Sequence, residues 1–359
     1  MTALDRPHPH PRRRAVLTGT LALGAAALLP LAAPGRARAA TGPVISDCAA
    51  WGARQPSSPV KTLATPPQKI IVHHTATPNS TDYSQNQAFS LARIMQNDQM
   101  DVRGWIDTGQ HFTISRGAYV TEGRHGSLAA LQGGTRQVES AHCTGQNTVA
   151  IGIENEGTYM TVDPRGEQYA RLVELCAHIC RQYGIPAYQI YGHRDFNSTD
   201  CPGDRLYALL PQLRQDVAAR VGGDPAPAVW PVLSTGNTGE RVRTLQLLLN
   251  GRGAALTADG DYGPATQAAV LAFQKAETAT PDGVAGLQTW NQLAAPARQG
   301  DSGTAVEAAQ RQLAAHGIAT DVDGAFGPGT AASVARFQTT RSLPADGVVD
   351  ARTWSRLVA

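Results

Sequence analysis

Charge is scarce in this 359-residue sequence, with Asp, Glu, Lys and Arg together making up 17%. The formal surplus of +2 comes from the first 39 residues, which hold six Arg (6, 12, 13, 14, 36 and 38) against one Asp. Without them, 25 basic side chains face 28 acidic ones, and no basic field remains that could hold a nucleic acid. Long apolar runs are also missing. The run from Leu21 to Ala33 is too short and too rich in Ala to span a bilayer, and no later stretch is a candidate. The mature chain is therefore expected to be soluble, with no membrane partner. What the sequence does have is 42% hydrophobic residues, enough for real cores, and 36 Gly and 23 Pro for turns and a linker. Length alone suggests two or three domains.

Arg12-Arg13-Arg14-Ala15-Val16-Leu17 precedes the apolar run, and the small-x-small site Ala37-Arg38-Ala39 follows it. This arrangement resembles a twin-arginine export signal with Arg13-Arg14 as the pair. A Sec-type signal or an uncleaved anchor are the alternatives. Residues 1–39 are read as the signal, and the destination as secreted or cell wall.

A first block runs over 40–221, and the Gly- and Pro-rich stretch at 222–231 reads as a linker. Beyond it the chain repeats itself at an offset of 64 residues without a gap. Asp259-Gly260-Asp261-Tyr262-Gly263-Pro264 returns as Asp323-Gly324-Ala325-Phe326-Gly327-Pro328, Phe273-Gln274 as Phe337-Gln338, and Thr289-Trp290 as Thr353-Trp354. The boundaries are set at 232–295 and 296–359. Val242, Leu245 and Leu249, like Val306, Ala309 and Leu313, give a first helix one apolar face. Pro264 and Pro328 stand where a second helix begins, and Trp290 and Trp354 close a third. Each repeat is thus expected to be a small three-helix domain. The turn, the Phe-Gln pair and the Asp-Gly-Val…Thr-Trp ending resemble the peptidoglycan-binding modules of bacterial wall hydrolases.

In the first block, Lys69–Val72, His111–Ile114, Val149–Ile153 and Ile190–Tyr191 read as strands. Ala88, Leu91, Ala92 and Met95 lie on one helical face, and 166–183 forms a second amphipathic helix. The expected fold is α/β, a mixed central sheet flanked by helices. His73 and His193 each sit at the end of an apolar strand, and Cys201 follows eight residues later in a polar loop. Two imidazoles and a thiolate are a donor set of the catalytic zinc type, leaving a fourth position open. In an exported chain Cys201 could equally be a disulfide partner. The other four, Cys48, Cys143, Cys176 and Cys180, allow three complete pairings. A bridge from Cys48 to the helix bearing Cys176 and Cys180 would tie down the N-terminal segment.

Ile-Val-His-His-Thr-Ala (71–76), Gly-Trp-Ile-Asp-Thr-Gly-Gln-His-Phe (104–112) and Ala-His-Cys-Thr-Gly-Gln-Asn (141–147) belong together with two later motifs. These are Ile-Gly-Ile-Glu-Asn-Glu-Gly (151–157) and Gly-His-Arg-Asp…Thr-Asp-Cys-Pro-Gly (192–203). In this order they resemble the peptidoglycan recognition protein and type 2 N-acetylmuramoyl-L-alanine amidase family over about 43–221. The resemblance implies zinc held by His73, His193 and Cys201, and hydrolysis of the bond between N-acetylmuramic acid and L-alanine in peptidoglycan. One position departs from the pattern: Gln110 stands where many members carry a catalytic Tyr, and Gln cannot act as a base. The branch that trims recycled muropeptides shares Ile-Gly-Ile-Glu and implies Glu154 as the proton shuttle. Thr199 and His142 are then expected donors to the reacting oxygen, His111 a structural residue, and Asn147 a lining of the peptide groove. The alternatives are a recognition protein without hydrolysis, which need not keep Cys201, and a zinc endopeptidase. The repeats are expected to anchor the enzyme to the wall without affecting turnover on soluble fragments.

Overall fold

The structure, a computed structural model, describes residues 42–359; the proposed export signal lies outside them. Among the described residues no helix is long and apolar enough to cross a membrane.

The first block is built on a six-stranded mixed sheet. Its strands are β1 (Ile45–Ser46), β3 (Lys69–His74), β4 (Phe112–Ile114), β5 (Val120–Glu122), β7 (Ala150–Asn155) and β8 (Ile190–Gly192), in the order β1-β5-β4-β7-β3-β8. A separate pair is formed by β2 (Thr62–Leu63) and β6 (Gln137–Val138). β3 runs parallel to both β7 and β8, and β4 parallel to β7. The adjacent parallel strands β7, β3 and the edge strand β8 are buried on both faces along most of their length, which is why they read as near-continuous apolar runs. Ile70, Val72, Ile151 and Ile153 pack against α3 (Gly166–Tyr183) and α5 (Leu210–Val221) through Leu172, Ile179, Leu213 and Val217. On the opposite face Ile71, Ala150 and Tyr191 make a smaller cluster with Cys143 and Phe196.

α1 (Gln85–Asn97) starts at Ser84, whose hydroxyl accepts from the Gln87 amide. It buries the predicted Ala88, Leu91, Ala92 and Met95. A π-helical turn over Asp98–Val102 continues it, a local widening of the kind found near functional sites. α2 (Ser127–Gly133) and the short α4 (Asp204–Ala208) complete the block.

The stretch 222–231 has no regular structure. After it come α6 (Glu240–Asn250), α7 (Pro264–Ala276) and α8 (Leu287–Leu293), then α9 (Thr304–Ala315), α10 (Pro328–Thr340) and α11 (Ala351–Leu357). Each repeat has the three helices its periodicity predicts. The shared glutamines explain the shared turns. The Gln246 amide nitrogen donates to Asp259, the Asp261 carbonyl and Thr266, while its oxygen accepts from Gly260 N. Gln310 repeats this around Asp323 and Thr330. The two repeats pool one hydrophobic core, running from Leu233 through Trp290 and Val306 to Val358.

Candidate metal centre and catalytic cleft

His73 is the fifth residue of β3, Glu154 the fifth of β7, and His193 directly follows β8. All three thus lie at the carboxyl ends of adjacent parallel strands, where open α/β sheets place their sites. His73 is paired in register with Glu154, so both side chains leave the sheet on one face. The loop after His193 brings Cys201 back, with Sγ 3.5 Å from His73 Nδ1. The ligand atoms of His73, His193 and Cys201 lie within 4.8 Å of one another.

Hydrogen bonds fix which nitrogen each ring can offer. His142 Nε2 faces the Ala150 carbonyl at 3.4 Å, and its Nδ1 lies 3.0 Å from His73 Nε2. A carbonyl only accepts, so a neutral His142 donates through Nε2 and accepts at Nδ1 from His73. That leaves the His73 Nδ1 lone pair directed at the Cys201 side. Burial, with the neighbouring imidazoles adding to it, holds His73 well below the usual histidine range and keeps it neutral. His142 is held well down by burial as well. His193 Nε2 lies 2.9 Å from Asn197 Oδ1, and the Asn197 amide nitrogen donates to the carbonyls of Glu277 (2.7 Å) and Thr144 (3.3 Å). Its oxygen must therefore face His193, which donates through Nε2 and keeps Nδ1 free.

The close approach of His142 to the strand depends on Gly152. A Cβ built there would sit 2.4 to 2.7 Å from the His142 ring atoms.

These residues fit zinc. Two neutral imidazoles and one sulfur are the donors of a catalytic zinc site, and the hydrogen bonds at each ring's far nitrogen would hold the rings in place for the metal. Burial foremost, then the Glu154 charge, pushes the Cys201 thiol well above its ordinary range. Ionising that thiol in place therefore calls for a cation beside it.

Glu154 opens onto the same cleft, of about 660 Å³, with Thr199, Gln110, Arg103 and Trp105. Its Oε2 is buried without a hydrogen-bond partner. Burial raises the carboxyl to about 8, against the pull of Arg103. The Thr199 oxygen accepts from Cys201 N at 3.2 Å, which leaves its hydroxyl proton to donate elsewhere. Gln110 is engaged at both ends, donating to Thr113 Oγ1 at 3.0 Å and accepting from Gln99 at 3.2 Å.

Two expectations change, the role of His142 and the cysteine bridge. Both ring nitrogens of His142 are used inside the protein, so it supports His73 and has no proton to offer a substrate oxygen. His111 is structural, its ring held between the Val138 carbonyl and Gly152 N. Asn147 lines a pocket beside the site together with Trp105, His142, His193 and Thr199, and it also braces its own loop by accepting from Cys143 N at 2.9 Å. No disulfide forms among the described residues, because all five cysteines are free. Cys48 meets the Gly123 carbonyl and lies away from the helix of Cys176 and Cys180, so the suggested bridge is absent. Asn197 was missed altogether. Its spacing of four from His193 acquires meaning only once the chain coils into the short 3₁₀ turn at His193–Asp195.

A family profile described as N-acetylmuramoyl-L-alanine amidase matches residues 63–204, and one for a peptidoglycan binding domain matches 238–293 and 302–357. The human N-acetylmuramoyl-L-alanine amidase is 30% identical over 53% of this chain, which spans 33% of that relative's length. A Bacillus licheniformis protein named "Probable N-acetylmuramoyl-L-alanine amidase" is 27% identical over 81% of this chain and 92% of its own. Peptidoglycan recognition protein 1 of Bos indicus is 34% identical over 45% of this chain and 80% of its own. With those matches falling on the strands and loops that carry His73, Glu154, His193 and Cys201, the chain belongs to the family of N-acetylmuramoyl-L-alanine amidases and peptidoglycan recognition proteins.

Proposed function

We propose that the chain is an exported, zinc-dependent N-acetylmuramoyl-L-alanine amidase acting on cell-wall peptidoglycan. The observation that carries the reading is the convergence of the His73, His193 and Cys201 donors beside the unpartnered carboxyl of Glu154, in one cleft. A site meant only for recognition needs neither a third ligand nor a buried, unpaired acid.

Zinc at these ligands supplies a Lewis acid for the scissile carbonyl and acidifies water. Glu154, poised near neutral pH, takes a proton from water as its oxygen adds to the lactyl carbonyl carbon. The Thr199 hydroxyl donates to the carbonyl oxygen. The C–N bond then breaks, and Glu154 returns the proton to the departing L-alanine amine. His142 and Asn197 keep the two ligand rings in the required tautomers. Gln110, held by Thr113 and Gln99, takes no part in proton transfer and shapes the cleft wall.

The peptidoglycan partner is supported by the paired binding repeats, and export by the Arg13-Arg14 segment. Mass spectrometry of digested sacculi tests the reaction. Free stem peptides beginning with L-alanine, together with glycan strands bearing unsubstituted lactyl groups, are expected. Intact muropeptides bound but uncut would make the chain a recognition protein, and cleavage within the stem peptide would make it an endopeptidase.

A further inference from the structure

The loop between the second and third proposed ligands is not held by the amidase block alone. Its backbone carbonyls are claimed, one after another, by amide side chains of the first repeat. The Gln288 amide donates to the Arg194 and Asn197 carbonyls, both at 2.9 Å, Asn291 to Asp195 at 3.0 Å, and Gln292 to Phe196 at 2.9 Å. The Ser198 amide donates in return to the Thr278 carbonyl at 2.8 Å. Asn291 and Gln292 are buried in this contact. On the other side of the site, Gly145 lies so close to Gln292 and Glu277 that an added Cβ would come within 2.2 Å of each.

The repeats supply an internal control. At the offset of 64 the architectural residues are retained, yet Gln288, Asn291 and Gln292 become Arg352, Ser355 and Arg356, and Glu277 and Thr278 become Arg341 and Ser342. The docking residues are therefore not part of what makes a three-helix repeat. They are peculiar to the copy that meets the site.

We infer that the first repeat is a positioning part of the metal centre. It holds the loop 194–198, and its Glu277 carbonyl orients the Asn197 amide so that the oxygen faces His193 Nε2 and Nδ1 is left to the metal. The inference rests on the zinc reading above. Without the Glu277 acceptor, Asn197 would lose the stronger of the two bonds that set its orientation, and the His193 ring would lose its outer support.

The test uses the full chain. Zinc affinity is measured by competition with a chromophoric chelator, and the ligand field by the absorption spectrum after cobalt(II) substitution. The triple variant Gln288→Ala/Asn291→Ala/Gln292→Ala is expected to bind zinc ~10- to 100-fold more weakly, with shifted cobalt bands. Asn197→Leu should do the same, and Asn197→Asp, which keeps the acceptor for His193, should lie closer to the wild type. Arg352→Ala, which frees the linker and the second repeat's contact with Tyr188 but touches nothing in 194–198, should change neither readout. A folded triple variant with wild-type zinc affinity and cobalt spectrum would overturn the inference. If that variant does not fold, unchanged affinity in both Gln292→Ala and Asn197→Leu overturns it equally. A wild-type chain that takes up no zinc sinks the metal reading itself, and this inference with it.

Discussion

Glu154 and Gln110 face one cleft, but only Glu154 can carry a proton. Glu154→Gln is expected to lower kcat by ~10² to 10⁴, the usual worth of a general base. Zinc content should be unchanged, because no ligand is touched. Gln110→Ala removes hydrogen bonds worth about 0.5–1.5 kcal/mol each and should cost far less activity. A Gln110 variant deader than the Glu154 one would move the base elsewhere. Lys69 gives a second test at this scale. Its ammonium donates to Gln146 at 2.9 Å and lies over the Phe196 ring, and lost hydration pushes it down to about 8. The unfolded chain keeps the proton up to about 10.5. Between pH 8 and 10.5 the unfolded state therefore binds more protons, and native stability gains as pH rises. Lys69→Met should be more stable than the wild type below pH 8, with the gap closing toward pH 10.5 in denaturant titrations. A gap that does not depend on pH would contradict the shift.

Among the elements, β7 admits the His142 ring against its face because Gly152 has no side chain. Gly152→Ala pushes a methyl into the His142 ring and should destabilise the protein by about 1–3 kcal/mol, as overpacking does. Chemical unfolding measures this, and a neutral result would mean that the ring can move aside. The elements differ in how far the sequence announces them. β3, β7 and α3 are long and strongly patterned, and the predicted ranges lie within a residue or two of those observed. β1, β2, β5 and β6 are two or three residues long, too short for any period to register. The convergence of His73, His193, Cys201 and Glu154 was legible because strand ends and motif order mark these positions. Asn197 was not, since a polar residue in a loop looks like any other. Gln288, Asn291 and Gln292 were hidden for a related reason: polar residues on a short helix read as a solvated face, and only the fold shows what covers them.

For the molecule as a whole, the linker and the first repeat, expected to leave turnover on soluble fragments untouched, are fastened to the amidase block. The 222–231 stretch is irregular, but Arg352 clamps it, donating to the Ala226 carbonyl at 2.8 Å and the Asp224 carbonyl at 2.7 Å, while its guanidinium stacks on Tyr188. Trp230 stacks on Trp290, whose indole donates to the Pro231 carbonyl. A peptide held in this way resists proteases, which need an unfolded segment of chain. Limited digestion with a broad-specificity protease should cut within 222–231 faster in Arg352→Ala than in the wild type. Equal rates would mean that the clamp does not protect the linker. Removal of 222–359 should then impair soluble turnover as well as wall binding, because it strips the amides from the carbonyls of 194–197.

The unbridged cysteines have a practical corollary. Cys48, Cys143, Cys176 and Cys180 are buried, whereas Cys201 is only half-buried, and thiols closed inside a core are out of reach of an alkylating reagent. Only Cys201 borders the cleft, and a bound metal would mask it. The number of sulfurs an alkylating reagent captures therefore reads out two events in one mass spectrum. Labelling should be silent in the loaded native protein, rise slowly to a single adduct when the metal is stripped, because burial raises that thiol too, and reach five only when the cores open. An oxidant should likewise find nothing to crosslink until the chain has already come apart.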